Sequence, residues 1–311
     1  MNGTKRLTEG AILLAIYVVL LLITIYIPII GTITMIAMVL PFVFYANKYG
    51  WKHSLGVVVL ANILAILFGS PIALMISLPT STAGIAIGHL YSQKASRYKV
   101  LGVTTGVYLA NFLIFYVLTM VLFELNITEI ISTTTNESIQ MVESMLAVVG
   151  QEQMDEVITR IEEMTTMFLY LLPSLLVTTS IAFAFISQWL SAFFLRRMKY
   201  EVPFFPPFRE LVLPKSLLWY YLVVLLFSFM QMEEGSMLHL ATLNLMYILM
   251  LAMTVQGFSF LFFLAHIKRW AKAIPIIIVI TSFLVPPILY IIRMVGIIDI
   301  GFELRKRLAG K

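Results

Sequence analysis

The sequence predicts an all-α polytopic membrane protein with about nine transmembrane segments, and three observations predict it. Hydrophobic residues make up 60% of the 311-residue chain and charged residues only 12%, against about a quarter charged in a soluble domain. The apolar residues gather in blocks comparable to the ~20 residues a helix needs to cross hydrocarbon. Basic residues between those blocks alternate with acidic or neutral loops, the pattern that orients helices in a bilayer. The chain has no cysteine, so disulfides, thiol catalysis and thiolate metal sites are excluded. Its net charge of +5 is scattered among short loops, which gives no basic patch for nucleic acid.

The nine apolar segments fall at about residues 10–30, 33–46, 53–69, 71–90, 100–124, 166–195, 216–231, 238–265 and 273–295. The second and seventh are shorter than the ~17-residue lower limit for a straight span. Lys5 and Arg6 precede the first block, as in a secretory signal, but no small-residue cleavage site follows. The block therefore reads as an uncleaved first span. Five basic regions alternate correctly and read as cytoplasmic: Lys5–Arg6; Lys48, Lys52 and His53; Lys94, Arg97 and Lys99; Arg196, Arg197, Lys199, Arg209 and Lys215; and Lys268, Arg269 and Lys272. The N-terminus is thus expected in the cytoplasm. The last segment breaks the alternation, because a ninth span puts Arg305, Lys306 and Arg307 outside. Either it spans, with an interfacial amphipathic tail, or Pro286-Pro287 turns it back as a re-entrant hairpin. The nine-span reading is preferred.

Residues 125–165 are the one long polar insertion, with eight acids (Glu129, Glu137, Glu143, Glu152, Asp155, Glu156, Glu162, Glu163) against one base, Arg160. Ile139, Val142, Leu146 and Val149 fit one helical face, and Met154, Val157, Ile161 and Met164 fit another beyond Gly150. Two extracellular amphipathic helices are expected, as a solvated cap or as a lid or docking element. No calcium-loop spacing is present.

Titratable groups are scarce within the spans, which disfavours a proton relay. Glu124, His89, His239, His266 and Arg293 fall at span ends. The amides Asn62, Asn111, Gln188, Asn244 and Gln256 need hydrogen-bond partners in hydrocarbon, and helix–helix bonding supplies the default. Tyr108, Asn111, Phe115 and Thr119 share a face of the fifth span that suits either a packing seam or a neutral-ligand pocket. No phosphate loop, nucleophile elbow, zincin motif or carboxylate pair appears. No enzymatic activity, cofactor or metal is expected.

The fourth span holds Pro79 followed by Thr80-Ser81-Thr82. Proline there frees a carbonyl near Met75 and is expected to kink the helix, with the hydroxyls meeting freed backbone groups. A kink would open a cavity walled by Ser77 and Thr80. Gly84 and Gly88 form a small-xxx-small face for close packing.

Residues 7–195 resemble the substrate-binding S components of energy-coupling-factor transporters. The resemblance rests on Leu7-Thr8-Glu9-Gly10-Ala11-Ile12-Leu13-Leu14-Ala15, on Pro41-Phe42-Val43-Phe44-Tyr45-Ala46 before Gly50, and on the glycine-bearing fourth span. It implies that Ala11 and Ala15 pack on a transmembrane coupling subunit. It also implies a ligand pocket beneath a loop Pro28-Ile29-Ile30-Gly31-Thr32, with Ser77, Asn111, Tyr116, Thr119 and Tyr170 as candidates. The whole chain is similar to the YybS-like family of bacterial membrane proteins, through Gln256-Gly257-Phe258-Ser259, Gly296-Ile297-Ile298-Asp299, Phe302 and Arg305-Lys306-Arg307. That family name fixes no activity. It implies a bacterial plasma membrane.

The expected organisation is a six-helix S-component-like domain over 1–195 that includes the acidic 125–165 helices, a cytoplasmic linker over 196–215, and a membrane segment of about three helices with a basic tail over 216–311. The linker sequence Val202-Pro-Phe-Phe-Pro-Pro-Phe208 cannot form a regular helix and is expected along the membrane interface. Two functions follow. One is a small-solute-binding transport component. The other is a non-transporting scaffold or regulatory partner that reuses the S-component fold.

Overall fold

The structure is a computed structural model that describes residues 3–122, 127–145 and 151–309. Every long element among them is helical. Seven helical runs are long and apolar enough to cross a membrane, or eight if one bent pair counts as a span. The chain groups into two compact units, 1–133 with 176–204, and 134–175 with 205–311. The carboxyl-terminal part of the acidic insertion therefore groups with 205–311 rather than with the amino-terminal helices.

The first unit holds α1 (Gly3–Tyr26), α2 (Pro28–Ala37), α3 (Val39–Tyr49), α4 (Trp51–Gly69), α5 (Leu74–Ser92), α6 (Arg97–Leu122) and most of α9 (Leu172–Arg197). The expected loop at 28–32 is absent. Pro28 occupies the first turn of α2, where a missing N–H costs little. α2 and α3 run on as a 22-residue span, Pro28–Tyr49, so the second segment is not short. Gly31 makes this possible: a Cβ there would lie 2.5 Å from the Thr24 carbonyl oxygen. Gly50 ends α3 with φ +80°, and Ser70 (φ +69°) with a 3-10 turn at Pro71–Ala73 makes the expected elbow between α4 and α5.

α5 continues unbroken through Pro79. The hydroxyls following the proline bond backward: Thr80 Oγ1 donates to the Ile76 carbonyl at 2.8 Å and Thr82 Oγ1 to that of Leu78 at 2.7 Å. Gly84 and Gly88 face α3 of the same chain. A Cβ at Gly84 would sit 2.6 Å from Phe42 Cβ, and one at Gly88 2.4 Å from the Val43 carbonyl oxygen. Tyr17, Leu21, Met38, Phe42 and Ala61 form the adjoining core.

The second unit holds α8 (Gln151–Tyr170), α10 (Ser216–Ser228), α11 (Met237–Ile267), α12 (Ala273–Leu284), α13 (Pro286–Phe302) and α14 (Leu304–Ala309), with part of α7 (Ile127–Met145). α7 and α8 are the two amphipathic helices expected of the acidic insertion; Gly150 lies outside the described residues. Thr135 and Thr165 bond hydroxyl to hydroxyl at 3.0 Å.

The chain bends by 120° between α12 and α13. The cause is local: a residue before proline is driven out of the helical region, and Val285 takes φ −123°, ψ 92°. A straight ninth span over 273–295 is therefore corrected to two arms, of 12 and 17 residues. The first is too short to cross alone and the second is at the lower limit. The helix also runs seven residues beyond the expected end at 295, to Phe302. α11 and α13 press together through glycines. A Cβ on Gly257 would fall 2.0 Å from the Ile292 carbonyl oxygen, and one on Gly296 2.1 Å from that of Met253.

Candidate functional site

Most of the sequence-predicted pocket residues of the first unit bond to a neighbouring helix or back to their own. Ser77 is fully buried and accepts the Tyr17 hydroxyl at 2.5 Å. Asn111 Nδ2 donates to Thr82 Oγ1 at 3.1 Å and to the Val107 carbonyl at 2.7 Å. One turn away, Tyr108 and Ser187 bond hydroxyl to hydroxyl at 2.8 Å. Thr119 bonds back to the Phe115 carbonyl at 2.8 Å, and Tyr116 is half-buried. Thr80 also bonds back within α5, and Tyr170 belongs to the second unit. Ala11 and Ala15 lie exposed on α1. Glu124 is outside the described residues.

The other amides also bridge elements. Asn62 Nδ2 reaches Ser81 Oγ at 3.3 Å, and Gln188 Nε2 donates to the Arg97 carbonyl at 3.0 Å. Asn244 fastens the break between α8 and α9: Nδ2 donates to the Tyr170 carbonyl at 2.7 Å and Oδ1 accepts the Ser174 N–H at 2.9 Å. His239 packs edge-on against the Tyr170 ring.

The most polar buried constellation is in the second unit. Gln256, fully buried on α11, donates from Nε2 to Asp299 Oδ2 at 2.6 Å and accepts the Leu213 N–H at 2.9 Å. The same Asp299 oxygen accepts Arg305 Nε at 2.8 Å. The guanidinium then donates from Nη1 to the Arg209 carbonyl at 2.8 Å and from Nη2 to Ser259 Oγ at 3.1 Å. Its carbon lies 5.2 Å from the Phe263 ring centroid, within cation–π reach. The Ser259 hydroxyl meets the Phe208 and Leu211 carbonyls at 2.7 and 2.8 Å. The Asp299 side chain is 2% exposed and that of Arg305 11%.

Sequence spacing builds this site. Gly257 and Gly296 bring two backbones together, and their neighbours enter the crevice: Gln256 beside Gly257, Ser259 two residues on, and Asp299 one helical turn past Gly296. Glu303 takes a left-handed conformation, φ +50°, which turns the chain so that Arg305 returns to Asp299. Hydrogen bonds from Lys215 and Lys306 hold the Glu303 carboxyl down to about 2. The proline-rich linker does not simply lie along an interface, because its Phe208–Leu213 end is bonded to α11 through Ser259 and Gln256. Burying two charges is costly unless they pair and bond further, and this pair bonds further to Gln256, Ser259 and the Arg209 carbonyl. The result is a lock between α11, α13, α14 and the linker.

Sequence reasoning quoted these residues as marks of resemblance and did not gather them into a site. Ending the last span at 295 left Asp299 outside it and Arg305 in an interfacial amphipathic tail. A carboxylate one turn beyond a helix-packing glycine was the available signal.

No solved structure is similar enough to match. Uncharacterized protein YybS of Bacillus subtilis (strain 168) is 32% identical over 308 residues, covering 99% of each chain. The family profile described as "Predicted membrane protein (DUF2232)" matches residues 15–300. That span includes Gln256, Ser259 and Asp299 and stops short of Arg305. With a match over most of its length and helices able to cross a bilayer, the chain belongs to the DUF2232 family of membrane proteins.

Proposed function

We propose that the chain is a non-catalytic scaffold or regulatory partner in a bacterial plasma membrane, with its N-terminus in the cytoplasm. The observation that carries this reading is the use made of polar side chains in the helices. Asn62, Asn111, Gln188, Asn244 and Gln256 each donate to a group on another element. Amides bonded this way hold helices together, and their donors are already engaged. The exposed small-residue face of α1 at Ala11 and Ala15 is the surface for a partner helix, because small side chains let backbones approach. The alternating basic loops support the orientation.

A second reading, a small-solute-binding transport component, is favoured by one observation. Thr104 Oγ1 and Gln188 Oε1 are buried in the first unit without a hydrogen-bond partner among the described residues. Such oxygens could bond a small polar solute.

Native mass spectrometry of the protein, gently solubilised from its own membranes, separates the two. The scaffold reading expects a retained protein partner that Ala11→Leu/Ala15→Leu removes. Recovery of monomer carrying a small molecule would overturn it in favour of transport.

A further inference from the structure

We infer that the cleft between the start of α10 and the α13–α14 turn binds the phosphate-bearing headgroup of an anionic phospholipid. The cleft has a volume of about 370 Å³ and is lined by Lys215, Gly301, Phe302, Glu303, Lys306 and Arg307. Three cations therefore face one carboxylate. Glu303 pairs with both lysines, which fixes their ammonium groups at the cleft wall. Each ammonium has three donors, so donors remain for an anion. Arg307 is exposed and has no ion pair among the described residues, and its planar fork suits a phosphate.

The surroundings select a lipid over a free anion. The cleft lies where two strongly apolar helices end, α13 at Phe302 and α10 at Ser216. Phe302 is 60% exposed at its edge, and Trp219 and Tyr220, one turn into α10, are 67% and 59% exposed. Exposed aromatic side chains next to basic ones mark the level where acyl chains give way to headgroups. The cations thus stand at headgroup depth with apolar surface beside them for the acyl chains. Basic pockets at helix ends bind anionic headgroups by this chemistry.

The test uses the full chain in nanodiscs of equal phosphatidylcholine and phosphatidylglycerol, released and weighed by native mass spectrometry. Phosphatidylglycerol adducts are expected to exceed phosphatidylcholine adducts roughly tenfold. Lys306→Gln/Arg307→Gln should bring the two near parity with only a small fall in melting temperature, since Asp299 and Arg305 are untouched and Lys215 still pairs with Glu303. Lys268→Gln/Lys272→Gln, which removes two exposed bases of the same unit, should keep the preference. Equal adducts in the wild type, or equal losses in both double variants, would overturn the proposal. Displacement of the lipid by millimolar glycerol 3-phosphate would overturn it in favour of a soluble-anion site.

Discussion

The α3–α5 seam of the first unit and the α11–α13 seam of the second are built on one device and finished differently. Each brings two helices to backbone contact through a pair of glycines four or more residues apart: Gly84 and Gly88 in one case, Gly257 and Gly296 in the other. Around the first, the polar groups are hydroxyls and amides, many bonding back to their own helix. Beside the second sits a buried ion pair with a serine, a glutamine and three linker carbonyls around it. Close packing alone joins two helices. The charged cluster joins two helices, a linker and the chain's last turn, and it makes each member depend on the others.

That difference predicts unequal responses to substitution. Arg305→Met should be the most damaging, because it strands Asp299 as an unpaired buried carboxylate, a loss of about 3–5 kcal/mol. Thermal unfolding in detergent should report it as a large fall in melting temperature. Gly257→Val and Gly88→Val come next. Each drives a side chain onto a carbonyl oxygen, and overpacking of this kind costs about 1–3 kcal/mol, in both seams alike. Asn111→Leu should cost less, about 0.6 kcal/mol, the average for an interhelical bond in a membrane. If Asn111→Leu proved as damaging as Arg305→Met, the contrast between the seams would fail.

The smallest expected effect is on pH dependence. The Glu303 carboxyl is held down to about 2 from an ordinary 4.5 by Lys215 and Lys306. A carboxylate whose folded value is depressed stabilises the fold fully above its unfolded value and loses that contribution as pH falls. The melting-temperature difference between wild type and Glu303→Gln should therefore be constant above about pH 4.5 and shrink toward pH 2.

Much of the fold was legible because helices in a bilayer carry strong signals. The long spans followed from apolar blocks, and the two acidic helices from their 3.6-residue period. The pairing role of the amides followed from the cost of a polar group in hydrocarbon. The misses have physical causes. The loop at 28–32 was implied by the resemblance alone; Pro28 suits a first helical turn, and Gly31 lets that turn pack on Thr24. Pro286-Pro287 was read with two outcomes, and the extended Val285 decided for a bend. Asp299 and Arg305 were hidden because each alone argues for solvent. Only the turn at Glu303 brings them together, and nothing in the local pattern of Phe302-Glu303-Leu304 announces a left-handed residue.

The central claim is that Asp299 and Arg305 act as one unit in locking the carboxyl-terminal helices. A double-mutant cycle on the full chain, with Asp299→Leu, Arg305→Met and the pair together, tests it by denaturation in mixed micelles. The account predicts that each single substitution is severe and that the double variant recovers most of the loss, since a buried pair replaced by apolar groups is often neutral. Single losses that are small and simply add would contradict it.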